Sequence, residues 1–565
     1  MQSVPSRANE QALLRSLRLC SQLCNRRPPF AAAAPRKNRR SHSHHIAPWR
    51  RRRAKHRSPT ATTAHRETRA QGDGRPPRMR LLTFIAPLLG SRKMTKLQGH
   101  EEEALGDAVA WCVAHGGCYA DPDDPKLYGH APFALEPFPF PRAEYDRVVA
   151  LQPAFGRLVD CVARDAAWLE ETLKETAASD EFTRKLLELR RETDAKGLKQ
   201  TCSLGLLRSD YMLDAPGSKA EDGSGRALQV ELNTIASSFG CLSTVISGLH
   251  AYIAQKYEGA SAGTLPPNKA KDGLCAGLAA AHAEFLRQFP SSDVPRRVAM
   301  VVQPGERNQM DQRMLEHGLW EGHGVDLRRV TLLDVVEGDG SLIFGEGDDK
   351  WEASVVYFRA GYAPDDYSSD KEWQARAVIE ASTAIKCPTV AYQLAGTKKV
   401  QQALAAPGII EKWLPNDADS LRGVFAGLYS LDVADGSAVD EIVAQAIKEP
   451  SRFVCKPQRE GGGNNLYGDE LKESLMKFSP QERAAYVLMD RIQPPSKTAT
   501  LVRGGESIVG ACVCELGIYG TILTNGEGAT IFENTPGHLL RQKSLGVDEG
   551  GVAAGFACLS SPALV

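Results

Sequence analysis

Between Tyr145 and Ala178 the apolar residues recur at helical spacing. Tyr145, Val148, Val149, Phe155, Leu158, Val159 and Val162 share one side of such a turn, which predicts an amphipathic helix. Pro153 lacks the N–H that a helix interior needs, so a break is expected there. Short apolar runs at Val298–Val302, Ser354–Phe358, Phe453–Lys456, Tyr486–Met489 and Ile508–Ile518 predict buried strands. Helices and strands are interspersed without an internal repeat, which predicts an α/β or α+β fold. Joints at Gly263–Pro267 and Ala406–Gly408 are expected module edges.

No such period runs through residues 1–95, which carry Arg50-Arg51-Arg52-Arg53 and many prolines and alanines. From Met1 to Gly99 there are 23 Lys and Arg against three acids, so the remainder holds 46 bases against 66 acids. A basic leader is joined to an acidic body. The leader cannot bury enough apolar surface to offset the entropy of ordering and is expected to be disordered. Its Arg-rich, acid-poor bias fits a transit peptide addressed to a plastid or mitochondrion. An extension upstream of a cytoplasmic protein that begins at Met79 or Met94 fits equally well. A nucleic-acid arm fits the charge alone, without an aromatic platform or folded reader, and the acidic body argues against that partner.

With 565 residues the chain suggests several lobes or two to four domains, and 42% hydrophobic against 24% charged residues excludes global disorder. The 13 cysteines lack the paired spacing of a disulfide framework or zinc site and read as free thiols in a reducing compartment. His44 and His45 lie in the leader and are assigned no metal. The longest apolar run, Leu81–Leu89, is interrupted by Pro87 and too short to span a membrane. A soluble intracellular protein is expected.

The clearest chemical string is Lys456-Pro457-Gln458-Arg459-Glu460-Gly461-Gly462-Gly463-Asn464-Asn465, at the end of a predicted strand. Glycines let backbone N–H groups approach phosphate oxygens, and the lysine adds a point charge. No Gly-Lys-Ser/Thr follows, so this is not a Walker A loop. Glycines alone read as a flexible turn, but the neighbouring lysine, carboxylate and asparagines favour phosphate and metal binding. In Leu228-Gln229-Val230-Glu231-Leu232-Asn233, alternation sends the three apolar residues to one face and Gln229, Glu231 and Asn233 to the other. Two oxygen ligands so spaced suit Mg²⁺, but spacing alone favours a half-exposed edge strand. The next segment, Ile235-Ala236-Ser237-Ser238-Phe239-Gly240, is mostly small and polar, as a substrate loop would be. Arg208-Ser209-Asp210-Tyr211 and Arg359-Ala360-Gly361-Tyr362 each offer a guanidinium suited to carboxylates or phosphates, or merely to surface ion pairs. Arg541 and Lys543 share a face in extended backbone, ahead of the small residues Gly550-Gly551-Val552-Ala553-Ala554-Gly555.

Together RSDYM at 208–212, ELNTIASSFG at 231–240, QLAGTKKVQQ at 393–402, KPQREGGGNNLYG at 456–468 and GGVAAG at 550–555 resemble the eukaryotic glutathione synthetase family from about residue 100 to Val565. The resemblance implies an ATP-grasp fold with nucleotide between two α+β subdomains, an inserted substrate-binding subdomain at 296–400 and a C-terminal lid region at 401–565. It implies a homodimer that joins γ-glutamylcysteine to glycine with ATP and Mg²⁺. By position, Glu231, Asn233 and Glu460 would hold magnesium. Glu231, Lys398, the loop from Lys456 to Asn465, Tyr467, Glu515, Lys543 and Glu549 would hold ATP, with Met489, Asp490, Arg491 and Ile492 flanking adenine. Arg208, Ile235, Ala236, Ser237, Ser238, Glu306, Arg307, Asn308, Gln312, Arg359, Ala360, Gly361, Tyr362, Arg541, Val552 and Ala553 would contact the peptide substrates. Arg208, Lys456 and Arg541 are the expected catalytic groups.

The implied chemistry needs no cysteine. ATP converts a carboxylate into an acyl phosphate, a matter of positioning and electrostatics, and glycine's amine then attacks the acyl carbon. The glycine loop would exclude water from that intermediate. A kinase that stops at phosphoryl transfer, or a nucleotide-binding protein without catalysis, are rival classes. For the acceptor amine, Val552-Ala553-Ala554-Gly555 suits glycine, with β-alanine or serine as the alternative.

Overall fold

In a computed structural model that describes residues 100–565 except 122, 123, 125, 259–264, 336–339, 433, 434, 461, 462, 553 and 554, the stripe that includes Tyr145 is one helix, α1 (Arg142–Arg164). Pro153 lies inside it without breaking it. The break falls at Asp165, whose side chain caps α2 (Ala166–Ser179) by accepting from the Trp168 N–H at 3.0 Å. Val148, Phe155, Leu158, Val159 and Val162 are all buried on either side of the proline. At about 1.5–3 kcal/mol for each large apolar side chain, that burial outweighs the roughly 3 kcal/mol cost of an internal proline. The leader, and the disorder expected of it, lie outside the described residues, all of which belong to the unit Gly90–Val565.

Along the chain the strands that matter here are β1 (Phe133–Ala134), β2 (Ser203–Asp214), β3 (Arg226–Asn233), β4 (Arg296–Val301), β5 (Leu327–Val330), β6 (Trp351–Phe358) and β7 (Ile385–Cys387). They are followed by β8 (Leu428–Ser430), β9 (Phe453–Pro457), β10 (Leu466–Tyr467), β11 (Tyr486–Asp490), β12 (Lys497–Arg503), β13 (Glu506–Thr524), β14 (Thr530–Ser544) and β15 (Cys558–Ser560). Among the further helices are α3 (Gly240–Ile253), α4 (Ala270–Gln288), α5 (Gln309–His323) and α6 (Lys398–Leu404). The five strands expected from apolar runs are present as β4, β6, β9, β11 and β13.

A large mixed sheet runs β12-β1-β15-β14-β13-β2-β7-β6-β4-β5, with β3 paired to β2. From β2 through β7, β6 and β4 to β5 the pairing is parallel, whereas β13 pairs antiparallel with both β2 and β14. Because β12 also pairs with β13, the strands β12, β1, β15, β14 and β13 close into a ring. Alternation along β2 feeds two cores, Leu207 and Tyr211 packing with α1 and Leu204 and Leu206 packing with α3 and α4. A smaller antiparallel sheet, β8-β11-β9-β10, has a core of its own around Phe453, Cys455 and Leu488.

Two histidines are sealed into this body as neutral groups. His250 lies with Nε2 2.9 Å from the Ala134 carbonyl, and His538 with Nδ1 3.0 Å from the Tyr145 hydroxyl. Burial lowers His250 from 6.5 to about 4 and His538 from 6.5 to about 3. Between those values and 6.5 the unfolded chain binds more protons than the folded one, so stability is full above about pH 6.5 and falls on acidification. Urea midpoints should drop from pH 7 to pH 5, and His538→Asn should flatten that dependence. An unchanged slope in the variant would remove His538 from the account.

Candidate functional site

β2 presents Arg208 and Asp210 opposite Asn233 and Glu231 of β3 on one side and opposite Tyr519 and Gly517 of β13 on the other. The β3 register slips at Val230, so that Asp210 faces Glu231 while Tyr211 faces Gln229. Adjacent strand residues point to opposite faces, and Gln229 therefore lies on the face of Tyr211, away from Glu231. The alternation expected for Gln229, Glu231 and Asn233 thus holds only for the last two. Gln229 instead accepts from Gln401 Nε2 at 3.1 Å, and the Val230 carbonyl accepts from Lys456 Nζ at 2.9 Å.

These strands border a cavity of about 340 Å³ in which charges are strung by alternating sign. Arg208 Nε and Nη2 donate to the two oxygens of Asp210 at 2.6 and 2.8 Å. Arg541 Nη2 donates to Asp210 Oδ2 at 2.9 Å and also to Glu515. Lys398, at the start of α6, donates to Glu460 Oε1 at 2.9 Å and lies 3.2 Å from Glu231 Oε2. Burial favours a neutral Glu231, but Lys398, Lys456, Arg541 and Arg208 outweigh it and hold the carboxyl well below its usual range. Burial, opposed by Lys398 and helped by Glu231, pushes Glu460 up. Lys398, between two carboxylates, is raised despite burial, whereas burial lowers Lys456 and Lys543.

At one end the wall is apolar, with Val454 and Met489 buried and Leu228, Tyr467 and Ile492 packed against them. Arg491 lies over the Tyr467 ring at 5.6 Å and pairs with Asp548 at 2.5 Å. Asn465 donates to Glu549 at 3.2 Å, and Lys543 to the Asp548 carbonyl at 2.6 Å. At the other end the segment Ile235–Phe239 carries two non-glycine residues with positive φ, Ala236 at 53° and Phe239 at 70°. Such backbone persists only where its surroundings over-determine it. Asp311 of α5 accepts from the N–H groups of Phe239, Cys241 and Leu242 at 2.9, 2.9 and 3.2 Å, and from Arg359 Nη1 at 3.1 Å. The Ser238 carbonyl is held by the Tyr519 hydroxyl at 2.6 Å and by Arg208 Nη1 at 3.2 Å.

A family model described as the ATP-binding domain of eukaryotic glutathione synthase matches residues 98–564. The chain belongs to the eukaryotic glutathione synthase family. A glutathione synthetase named as chloroplastic from Solanum lycopersicum is 40% identical over 484 residues, 82% of this chain and 84% of that protein. The glutathione synthetase of Homo sapiens is 40% identical over 475 residues, 82% of this chain and 96% of that one. Among solved structures, a glutathione synthetase-like effector from Globodera pallida in its apo form has a TM-score of 0.65 at 23% identity, covering 83% of this chain and 97% of that chain, a likeness of fold alone.

Most residues that the glutathione synthase resemblance singles out border the cavity, including Arg208, Glu231, Asn233, Lys398, Lys456, Glu460, Glu515, Arg541 and Lys543. So do the segments Ile235–Ser238 and Met489–Ile492, together with Glu306, Asn308, Arg359, Tyr362, Arg459, Asn464, Asn465, Tyr467, Glu549 and Val552. Pro457, Gln458, Gly463, Arg307, Gln312, Ala360 and Gly361 do not. Gln458 accepts from the Lys399 N–H at 3.1 Å, and Arg307 lies over the Tyr119 ring at 5.2 Å. Gln312 is buried and accepts from Arg329 Nε at 3.0 Å, and Gly361 donates its N–H to Asp366 at 2.8 Å. Gly461, Gly462 and Ala553 lie outside the described residues. Sequence reasoning passed over Asp210, Asp311, Tyr519 and Asp548. For Asp210 a signal existed, because residues two apart on a strand share a face and Arg208 is one of them.

The anchors of the Ile235–Phe239 segment differ in kind. Asp311→Ala leaves buried Arg359 unpaired and should cost about 3–5 kcal/mol of stability. Tyr519→Phe removes one hydrogen bond and should cost about 1 kcal/mol. Denaturant unfolding of both variants measures the difference, and equal losses would show that Asp311 is not the principal anchor.

Proposed function

We propose that this cavity is the active site in which the chain carries out its family's activity, the ATP-dependent joining of γ-glutamylcysteine to glycine to give glutathione, ADP and phosphate. The observation that carries the assignment is the convergence of Glu231, Lys398, Glu460 and Lys456 beside the paired arginines Arg208 and Arg541. β-Alanine or serine as acceptor gains no support from relatives named as glutathione synthetases.

In this reading the fold is of the ATP-grasp type, with residues 296–400 as the substrate-binding subdomain and 401–565 as the lid region. Adenine lies against Val454, Met489 and Ile492, and the phosphates reach Lys398, Lys456, Lys543 and the glycine loop. No group of three His, Cys, Asp or Glu able to hold a metal occurs among the described residues. Two carboxylates and one amide, Glu231, Glu460 and Asn233, nevertheless suit Mg²⁺, which takes few carboxylates and keeps phosphate oxygens as partners. When bound there, magnesium would supply positive charge to the phosphate oxygens.

Lys398 and Lys456 neutralise the γ-phosphoryl as it passes to the cysteinyl carboxylate of the dipeptide. Glycine's amine then attacks the acyl carbon and phosphate leaves. Arg208 is held by Asp210 and the Ser238 carbonyl and borders the cavity, where its guanidinium would meet the developing oxyanion. Water must be kept from the acyl phosphate, a task for closure of the Gly461–Gly463 loop. We further propose a homodimer, and plastid delivery by the basic leader, the latter supported by the chloroplastic names of the tomato and Arabidopsis thaliana relatives. No helix among the described residues is long and apolar enough to cross a membrane.

The decisive assay is ADP release, which should require both the dipeptide and glycine; release with the dipeptide alone would indicate a kinase. Lys456→Met and Glu460→Gln should each abolish ligation while the fold is retained, since a preorganised charge at such a centre is worth about 3–4 kcal/mol. Near-normal turnover in either folded variant would sink its assignment.

The leader has its own test. Chain starting at Met94 should ligate at the full rate, and residues 1–93 fused to a fluorescent reporter should carry it to a plastid. A reporter left in the cytosol would defeat the transit reading.

A further inference from the structure

We propose that Asp210 is the positioning residue of this site, setting at once the spacing of the two substrate arginines and the orientation of the Asn233 amide toward the metal. The proposal rests on the functional reading above, in which Arg208 and Arg541 serve the dipeptide and Glu231, Asn233 and Glu460 serve magnesium. Asp210 itself touches neither substrate nor metal in that reading.

Asp210 is fully buried, and a carboxylate so placed must have its oxygens occupied. Its partners are all groups of the site. Oδ1 accepts from Arg208 Nε at 2.6 Å. Oδ2 accepts from Arg208 Nη2 at 2.8 Å, Arg541 Nη2 at 2.9 Å and Asn233 Nδ2 at 3.1 Å. Two guanidiniums that would otherwise repel are thereby held on one oxygen. Their unused N–H groups keep a fixed separation, as a carboxylate or a tetrahedral oxyanion requires.

The same oxygen decides which arm of Asn233 meets the cavity. The Nδ2 group donates to Asp210 Oδ2 and, at 3.3 Å, to the Arg208 carbonyl, so both its protons are directed at β2. An amide carries its oxygen on the opposite arm, and Asn233 borders the cavity, so Oδ1 is the atom offered to a cation. Without a strong acceptor at 210 nothing forbids the reverse orientation, which would aim two N–H groups at the metal. A ligating side chain is commonly oriented in this way by an outer partner.

Gly517 shows that room is made for the arrangement. It lies opposite Asp210 on β13, and a Cβ there would stand 2.5 Å from Asp210 Oδ1 and 2.8 Å from Arg208 Cδ. A bare backbone at 517 is what lets the Arg208 side chain lie flat across the sheet to reach Asp210. Gly517→Ala therefore disturbs the pair without removing a charge, and gives a second route to the same question.

The test compares wild type, Asp210→Asn and Gly517→Ala as full-length proteins. Manganese, as a probe for magnesium, is titrated into each protein with a non-hydrolysable ATP analogue and followed by electron paramagnetic resonance. Analogue binding is also measured in chelator, and KM for γ-glutamylcysteine under turnover. By the usual effect of losing an outer partner, Asp210→Asn should weaken manganese roughly tenfold or more. It should also raise the dipeptide KM by about as much, with metal-free nucleotide affinity kept within about twofold, and Gly517→Ala should do the same to a smaller degree. A folded Asp210→Asn protein whose manganese affinity and dipeptide KM both match wild type overturns the proposal. So does an equal loss of nucleotide, metal and dipeptide binding, the mark of a merely structural role. If Asp210→Asn does not fold, Gly517→Ala is judged by the same criteria. Wild-type protein that forms no glutathione defeats the functional reading instead, and the manganese titration then decides the Asn233 orientation alone.

Discussion

A charge removed from water must find the opposite charge beside it, and that constraint organises this protein outward from β2. Glu515, Arg541, Asp210 and Arg208 form one alternating chain, and Glu231, Lys398 and Glu460 form another. The chains span strands that are far apart in sequence, so these charges are balanced only in the folded sheet. Breaking one link leaves a buried partner uncompensated, which costs more than the link itself contributes. The same constraint favours the charged forms of Arg208 and Lys398 in a site that is mostly buried. Arg208 and Lys398 are raised because carboxylates face them, whereas Lys456, whose nearest acceptor is a neutral carbonyl, is lowered.

Rigidity of the Ile235–Phe239 segment has a different origin. Ala236 and Phe239 hold left-handed backbone that an L residue adopts at a cost of about 1–2 kcal/mol. Tyr519 and Arg208 donate to the Ser238 carbonyl, and Asp311 accepts from the Phe239 N–H, from the first turn of α3 and from Arg359, so the strained turn is held at its end from three sides. Asp311 does double service, ending the loop as the acceptor for the first N–H groups of α3 while pairing with Arg359 at the far wall. The two walls at this end of the cavity are thus tied through one carboxylate.

How much of this was legible in the sequence depends on whether the cause is local. The mixed architecture and the five strands followed from apolar runs, because burial of a run is a property of the run itself. Pro153 was misjudged since its effect is decided by tertiary packing of Val148, Phe155 and Leu158, which propensity does not contain. The bulge at Val230 could not be read either. Nothing in Leu228–Asn233 marks an extra residue, and its position appears only from pairing with β2. Most residues of the motif strings border one cavity, but a string is carried over as a unit, so Gln458 and Gly361 came along although they bond to Lys399 and Asp366 instead. Asp210 stood inside a recognised string and was passed over because its role exists only in relation to Asn233, Arg541 and Gly517, three residues brought beside it by folding.

One further consequence concerns sulfur. The dipeptide substrate carries a thiol, and a protein thiolate near it would invite oxidation to a mixed disulfide. All 11 cysteines among the described residues are free, nine of them are buried, and none borders the cavity. Cys514 and Cys455 each stand between two residues that border the cavity, but strand alternation turns Cys514 into the main core and Cys455 into the core of the smaller sheet. Burial there pushes its thiol up to about 12, and Cys112 and Cys275 are pushed up to about 12 in the same way. A thiol with so high a value holds almost no thiolate at neutral pH and is a poor nucleophile. The packing that makes these cysteines good core residues thus also keeps their thiols protonated and unreactive.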